Sequence, residues 1–370
     1  MRGKSTLFSA AVVLLILSSP VFAYQQVVDL GVISGGHTSY AYSINDDGQV
    51  VGSSTISNGN INACLFDQTS QNAKSLCGNE SYAYSINNAG QIVGRAKFLT
   101  GLPPTMHVTD HACFFDSKNI LNNKDLGSLG GSISGARSIN NNNQIVGYAY
   151  NSSERPRACL FDSSGNGANI DLGTLGGTDS TAYAVNDNGI IVGSAYLNDN
   201  DPPYMTHACL FDSSGNGANI DLGTPGGNYS YAFSINNSNQ IVGRAGGHAC
   251  LFDWTGGGAN IDLGTLGGLQ SEAWFINDIS QIVGWAYDSS NNKHACLFDP
   301  TGKGNIDLNN LIDPSSGWVL REAYSINESG WIVGNGYRDG YTRAFLLTPE
   351  PATLLLFGLG GLILRKRKSY

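Results

Sequence analysis

An all-β chain of seven four-stranded repeats is what this sequence predicts, on three observations. A word of the form Ala-aromatic-Ser-Ile-Asn recurs at Ala41–Asn45, Ala83–Asn87, Ala136–Asn140, Ala182–Asn186, Ala232–Asn236, Ala273–Asn277 and Ala323–Asn327, with one or two substitutions in some copies. The composition suits strands and turns: 48 of 370 residues are glycine, only 13% are charged, and Asn, Ser, Asp and Tyr cluster between short apolar runs. One strand-like run, Val27–Gly31, precedes the first repeat, and one, Ala344–Leu347, ends the last without a partner after it. Repeats of about 47 residues with four short strands each fit the blades of a β-propeller. A parallel β-helix needs shorter turns, and helical repeats would show a 3.6-residue period that is absent here. The predicted fold is therefore a seven-bladed β-propeller, its ring closed by the N-terminal strand, which also covers an otherwise open sheet edge.

Each repeat reads the same way from its first strand outward. The Ala-aromatic-Ser-Ile strand ends in a polar turn such as Asp46-Asp47-Gly48 or Asn88-Ala89-Gly90, and a Gln-Ile-Val-Gly strand follows at Gln91, Gln144, Gln240 and Gln281, with variants at Gln49, Ile190 and Trp331. Two β runs around Asn, Asp and Gly make a hairpin. The third strand is His-Ala-Cys-Leu-Phe-Asp at His111, His207, His248 and His294, with Asn62, Arg157 and Arg343 in the first place elsewhere. Ile-Asp-Leu-Gly closes the unit as the outermost strand, reduced to Ser75-Leu76-Cys77 in the first repeat. These words resemble the extracellular HAF-repeat family over nearly all of residues 24–348, with Cys standing where that family's His-Ala-Phe word has Phe, except at Phe345. The resemblance implies a secreted bacterial repeat protein without an assigned reaction.

The two ends read as addresses. Met1-Arg2-Gly3-Lys4, an apolar run over 7–17 and a small residue at Ala23 make a secretory signal peptide, residues 1–23, cut between Ala23 and Tyr24. Its apolar run is shorter than the roughly 20 residues of a membrane-spanning helix. At the other end, Pro349, Glu350 and Pro351 precede a short apolar stretch to Leu364 and the basic cluster Arg365-Lys366-Arg367-Lys368. Residues 349–370 resemble the PEP-CTERM sorting signal of Gram-negative bacteria. That resemblance implies recognition by an exosortase, transient insertion in the inner membrane, and delivery to the cell surface or extracellular matrix. Without both ends the body, residues 24–348, carries a net charge of about −14. Nucleic acid is excluded as a partner on that balance.

The residues that invite a chemical reading are mostly repeated ones. His111, His207, His248 and His294 occupy one position in different repeats, too far apart to share an ion, and the Arg and Asn substitutes share only the ability to donate hydrogen bonds. They are read as structural donors to Asp side chains of the outer strand, such as Asp171, Asp221 and Asp262. Cys64, Cys113, Cys159, Cys209, Cys250 and Cys296 share a second position and are read as small buried hydrophobes. Cys77 stands apart, and a Cys64–Cys77 disulfide is a candidate in an oxidising exterior. The turns Asn45–Gly48 and Asn186–Gly189 have calcium-loop residues but lack the twelfth-position Glu, so no cofactor is expected, with weak calcium binding the alternative. No nucleophile motif and no isolated carboxylate pair stands out. The expectation is an exported, non-catalytic binding or structural module, for polysaccharide, with contacts on the inserts Phe98–Asp110 and Leu197–Thr206. The alternative is a secreted glycan hydrolase or lyase with its site in the central channel.

Overall fold

The strand-and-turn alternation of the sequence is carried out with little departure. The computed structural model describes residues 24–69, 71–100, 107–198 and 205–349; Ala23, Glu350, Pro351 and the tail beyond lie outside them. Tyr24–Pro349 forms one unit whose regular elements are strands, apart from three short 3-10 turns among the described residues. Among the described residues no helix is long and apolar enough to cross a membrane.

Each of the first six repeats gives four antiparallel strands in sequence order. In the fourth repeat the order is Ser180–Val185, Ile191–Tyr196, Thr206–Phe211, Ile220–Asp221, and the first, fifth and sixth follow the same plan. The second and third repeats are joined into one larger sheet by a parallel contact, Ile133 opposite Asp110. In the last repeat the outer strand is supplied by the other end of the chain: Tyr24–Asp29 pairs antiparallel with Tyr341–Pro349, Val27 opposite Leu347. The first repeat keeps an outer strand, Asn72–Ser75, and Leu76 takes the buried leucine position that Leu126, Leu172, Leu222 and Leu263 fill elsewhere.

One local irregularity recurs in all seven first strands. The register against the second strand slips between Ala41 and Ser43, and at the corresponding place in each other copy. The aromatic residue of the word is therefore the extra residue of a bulge, which re-aims its side chain out of the strand's alternation. The glycine of Gln-Ile-Val-Gly faces this bulge. A Cβ on Gly193 would sit 2.0 Å from the Thr181 carbonyl oxygen, and the other six equivalents leave 1.8–2.0 Å to the same carbonyl. No side chain fits there, which is why the second strand of every repeat has glycine at this position.

The core lies between successive sheets. Val146, Ala158 and Leu172 of the third repeat pack on Ala182, Ile191, Cys209 and Phe211 of the fourth, and analogous sets fill the neighbouring gaps. Leu30, Val333, Ala344 and Leu346 of the last repeat pack in the same way on Ala41, Val50, Cys64 and Phe66 of the first. Serines stitch the gaps: Ser180 Oγ accepts from Ala158 N at 2.9 Å and donates to Gly173 O at 2.6 Å, and Ser81, Ser134, Ser230, Ser271 and Ser39 accept from the third strand of the preceding sheet likewise.

Two expectations meet a different geometry. Cys64 lies opposite Ser75 rather than Cys77, and the two thiols belong to core clusters on different faces of the first sheet, Cys64 with Leu30 and Ala41, Cys77 with Val51 and Leu76. All seven cysteines are free and buried, so no bridge joins Cys64 to Cys77. The insert Phe98–Asp110 is largely strand rather than a loop: Ile92–Thr100 and His107–Phe115 stay paired out to Thr100 opposite His107, with residues 101–106 outside the described set. Burial pushes the thiols of Cys64, Cys113, Cys159, Cys209 and Cys296 up and that of Cys250 up to about 12. An aromatic disulfide reagent is therefore expected to titrate none of the seven thiols in the native chain at pH 8 and all seven in denaturant; five in denaturant without reductant means a bridge forms in the secreted protein.

Candidate functional site

The first strands of all seven repeats converge on a cavity of about 180 Å³ lined by the Ser-Ile-Asn ends of the repeated word. The asparagine is present in every copy of that word, as is the alanine that opens it, and the geometry gives the reason for the asparagine. Asn45 Nδ2 donates to Asn87 O (3.0 Å), Asn87 to Asn140 O (3.0 Å), Asn140 to Asn186 O (2.8 Å) and Asn186 to Asn236 O (3.0 Å). Asn236 donates to Asn277 O (3.0 Å), Asn277 to Asn327 O (3.1 Å) and Asn327 to Asn45 O (3.1 Å), which returns the circuit to its start. Each Oδ1 meanwhile accepts from the backbone N–H that opens the next strand, as Gln144 N does to Asn140 at 2.8 Å. All seven asparagines are buried, so each bond is made where an unpaired amide would be costly.

The next residue of each repeat forms a second ring at the cavity mouth: Asp46, Asn88, Asn141, Asp187, Asn237, Asp278 and Glu328. Each backbone N–H donates to the side chain of the residue in the following repeat, from Asp46 N to Asn88 Oδ1 (3.0 Å) round to Glu328 N to Asp46 Oδ1 (3.1 Å). Burial pushes the Glu328 carboxyl above its ordinary value, and the charges of Asp278 and Asp46 push the same way. The Asp46 and Asp187 carboxylates of the two calcium-like turns thus already accept amide protons. Among the described residues no group of three or more His, Cys, Asp or Glu side chains is arranged to hold a metal ion.

Above the asparagines the bulged residues Tyr42, Tyr84, Arg137, Tyr183, Phe233, Trp274 and Tyr324 form an aromatic layer. Tyr42 stands edge-on to Tyr324 at 5.3 Å, Trp274 stacks on Tyr324 at 4.2 Å, and the Arg137 guanidinium lies over Tyr84 at 4.8 Å and Tyr148 at 5.4 Å. Burial pushes the phenols of Tyr42, Tyr84, Tyr183 and Tyr324 upward, so these four side chains are neutral.

Two carboxylates that sequence reading passed over lie in this layer. Glu272 accepts from Arg244 Nη1 (2.6 Å) and from the indoles of Trp274 (2.8 Å) and Trp285 (3.0 Å). Glu322 bonds Lys293 and accepts from the Tyr324 hydroxyl at 2.9 Å. Both occupy the position held by Tyr40, Tyr82 or Tyr231 in other repeats, so the signal was a break in the repeat rather than a motif. Each is ion-paired and only 15–16% exposed.

The repeated histidines lie on the sheets rather than in the cavity. His207 Nδ1 is 2.8 Å from Asp221, His111 3.0 Å from Asp125, His248 2.9 Å from Asp262 and His294 2.6 Å from Asp307, while Arg157 Nε reaches Asp171 at 3.1 Å. In the first repeat the donor is neutral Asn62, and its partner is neutral Ser75 at 3.3 Å.

Residues 347–368 match the PEP-CTERM protein-sorting motif. The chain is thus an exported protein of the kind made by Gram-negative bacteria, with a membrane-associated sorting stage, and the motif is the recognition signal for exosortase processing. No curated protein matches the sequence. Among solved structures it is similar to a gluconolactonase from Xanthomonas campestris, at 10% identity and a TM-score of 0.44 over 88% of this chain and 89% of that one. It is also similar to Trypanosoma rangeli sialidase, at 10% identity and a TM-score of 0.38 over 88% of this chain and 56% of that one.

The hydrogen bonds around Asp221 set an acid limit. Burial alone would raise the Asp221 carboxyl, but hydrogen bonds from His207 and Gly223 N–H outweigh it and hold the group below its ordinary value. A carboxylate held low in the folded chain stabilises it above the unfolded value near ~3.9 and ceases to as pH falls through the lower folded value. The melting temperature should therefore fall below pH 4, and Asp221→Asn should flatten that fall by scanning fluorimetry. His207→Ala should cost about 1–3 °C at pH 7; an unchanged melting temperature would contradict a stabilising role.

Proposed function

We propose that the chain is a seven-bladed β-propeller of the HAF-repeat type, closed by its N-terminal strand, that serves at the cell surface or in the extracellular matrix as a non-catalytic module holding polysaccharide. The Asn circuit supports the ring, since a side-chain link from the seventh repeat to the first repeats the geometry of the other six. The pairing of Tyr24–Asp29 with Tyr341–Pro349 supports the closure. Removing Tyr24–Leu30 is expected to leave an exposed strand edge and an aggregating chain; a soluble monomer with an unchanged melting temperature would refute closure.

One observation carries the binding reading: nearly every repeated polar side chain is spent on the framework. The Asn amides, the stitching serines and the His–Asp pairs all have internal partners, so chemistry is left to the few residues that break the repeat. Those residues are aromatic and charged and gather on the face away from the Asn turns, a composition that suits sugar rings, whose apolar faces stack on aromatic side chains while their hydroxyls take hydrogen bonds.

The Glu272 and Glu322 pair favours one second reading, a glycan hydrolase. It is the weaker one because each carboxylate is tied to a cation, whereas a general acid needs a carboxyl free to hold a proton near neutral pH. The chain from Tyr24 to its C-terminus, purified in mild detergent, should be retained by immobilised bacterial matrix polysaccharide without releasing new reducing ends. Release that Glu322→Gln abolishes would replace the binding reading with the hydrolase.

A further inference from the structure

The repeat is rewritten at one junction, between the sixth and seventh sheets. Elsewhere an Ile-Asp-Leu-Gly strand runs through a short Gly-rich link to a stitching serine two residues before the Ala of the next word. Here the link is Leu308–Trp318, with 3-10 turns at Leu308–Leu311 and Pro314–Ser316, and the serine is gone. Leu320 fills its place, fully buried, and Asn309 takes over the clamp by donating to Leu320 O (2.9 Å) and accepting from Leu320 N (2.7 Å). The register then slips between Leu320 and Glu322, so Arg321 is an extra residue with no counterpart in the other six repeats. A bulge of this kind turns a side chain out of the strand's alternation. Arg321 is exposed and makes no hydrogen bond or ion pair with any described residue.

Arg321 lines a cavity of about 640 Å³ with Lys293, His294, Tyr287 and Tyr337. That volume lies within the roughly 300–1,000 Å³ of small-ligand sites. No carboxylate is among its lining residues, although the body as a whole is strongly acidic. Lys293 is already bonded to Glu322 and stacked 4.1 Å over Trp285, and His294 is held by Asp307, so both are fixed in place. The uncommitted positive charge is Arg321, beside Tyr337, which is 46% exposed and offers an aromatic face.

We propose that this cavity binds a uronic-acid residue of an acidic polysaccharide, Arg321 gripping the sugar carboxylate and Tyr337 stacking on the ring. A guanidinium fork matches a carboxylate with two parallel hydrogen bonds, which a lysine does not reproduce. On a body of net charge about −14, an anionic chain is accepted only where acidic side chains are absent. The assignment deepens the polysaccharide reading above and depends on it.

Isothermal titration of the same detergent-purified chain with oligogalacturonate, neutral dextran oligosaccharide and inorganic phosphate tests it. Oligogalacturonate should bind, dextran and phosphate should not. Arg321→Ala should weaken oligogalacturonate binding at least tenfold at an unchanged melting temperature, Arg321→Lys should restore only part of it, and Tyr337→Ala should weaken it independently. Phosphate binding as tight as oligogalacturonate, or an Arg321→Ala variant that binds normally, would overturn the site. Matrix polysaccharide retained equally by wild type and Arg321→Ala would overturn the site alone, whereas no retention of any polysaccharide by the wild type would remove the binding reading as well.

Discussion

A buried amide that reaches across to the next repeat's backbone is the constraint on which this molecule rests. Each of the seven asparagines satisfies two needs at once: its Oδ1 closes its own hairpin by accepting a backbone N–H, and its Nδ2 fastens that hairpin to the neighbour. Asn140 does both, to Gln144 N at 2.8 Å and to Asn186 O at 2.8 Å. Aspartate would bring acceptors only and a buried charge, and glutamine would be one methylene too long for a contact that repeats at 2.8–3.1 Å. The last two turn positions are free to vary, Asp47-Gly48 in one copy and Ser238-Asn239 in another, because the links between repeats are made by the asparagine and the residue after it.

The other regularities follow from bringing seven first strands this close. The bulge turns the aromatic residue of each word toward the centre, where phenol and indole rings fill the space that seven strands leave, and the facing glycine makes room for the bulge. The small residues of the third strand, Ala and Cys, let the next sheet pack tightly against it, and the stitching serine answers the one backbone amide that this packing buries. A framework satisfied so completely within itself offers little chemistry to a ligand. What remains is found where the pattern fails, at Glu272, Glu322, Arg321 and the link before them.

Much of the fold was legible because a repeat shows its own rules. Word order alone gave the strand order in each sheet and the offset strand Val27–Gly31, which the structure places beside Ala344–Leu347. The bulge was not legible, since an extra residue present in every copy leaves no contrast to read. The same held for the asparagine's double role, hidden inside what looked like turn composition. The Cys64–Cys77 pairing misled because strand adjacency does not say which face a side chain takes, and a two-residue offset in register set the thiols apart. Glu272 and Glu322 were visible as letters but looked like ordinary variation until the register put them among tryptophans. The donors and their outer-strand Asp partners could be named from the repeated words; what the register adds is that neutral Asn62 meets neutral Ser75 where charged or ionisable donors meet Asp.

The most direct measurement is a stability comparison of the seven single Asn→Ala variants, from Asn45→Ala to Asn327→Ala, by chemical denaturation. In a closed circuit every asparagine makes the same link to the next repeat's backbone and the same bond to its own hairpin, so all seven variants should lose a similar amount, about 2–3 kcal/mol each, Asn327→Ala included. A graded series, with large losses at Asn140 and Asn186 and little at Asn327, would mean an open stack of repeats and would contradict the ring.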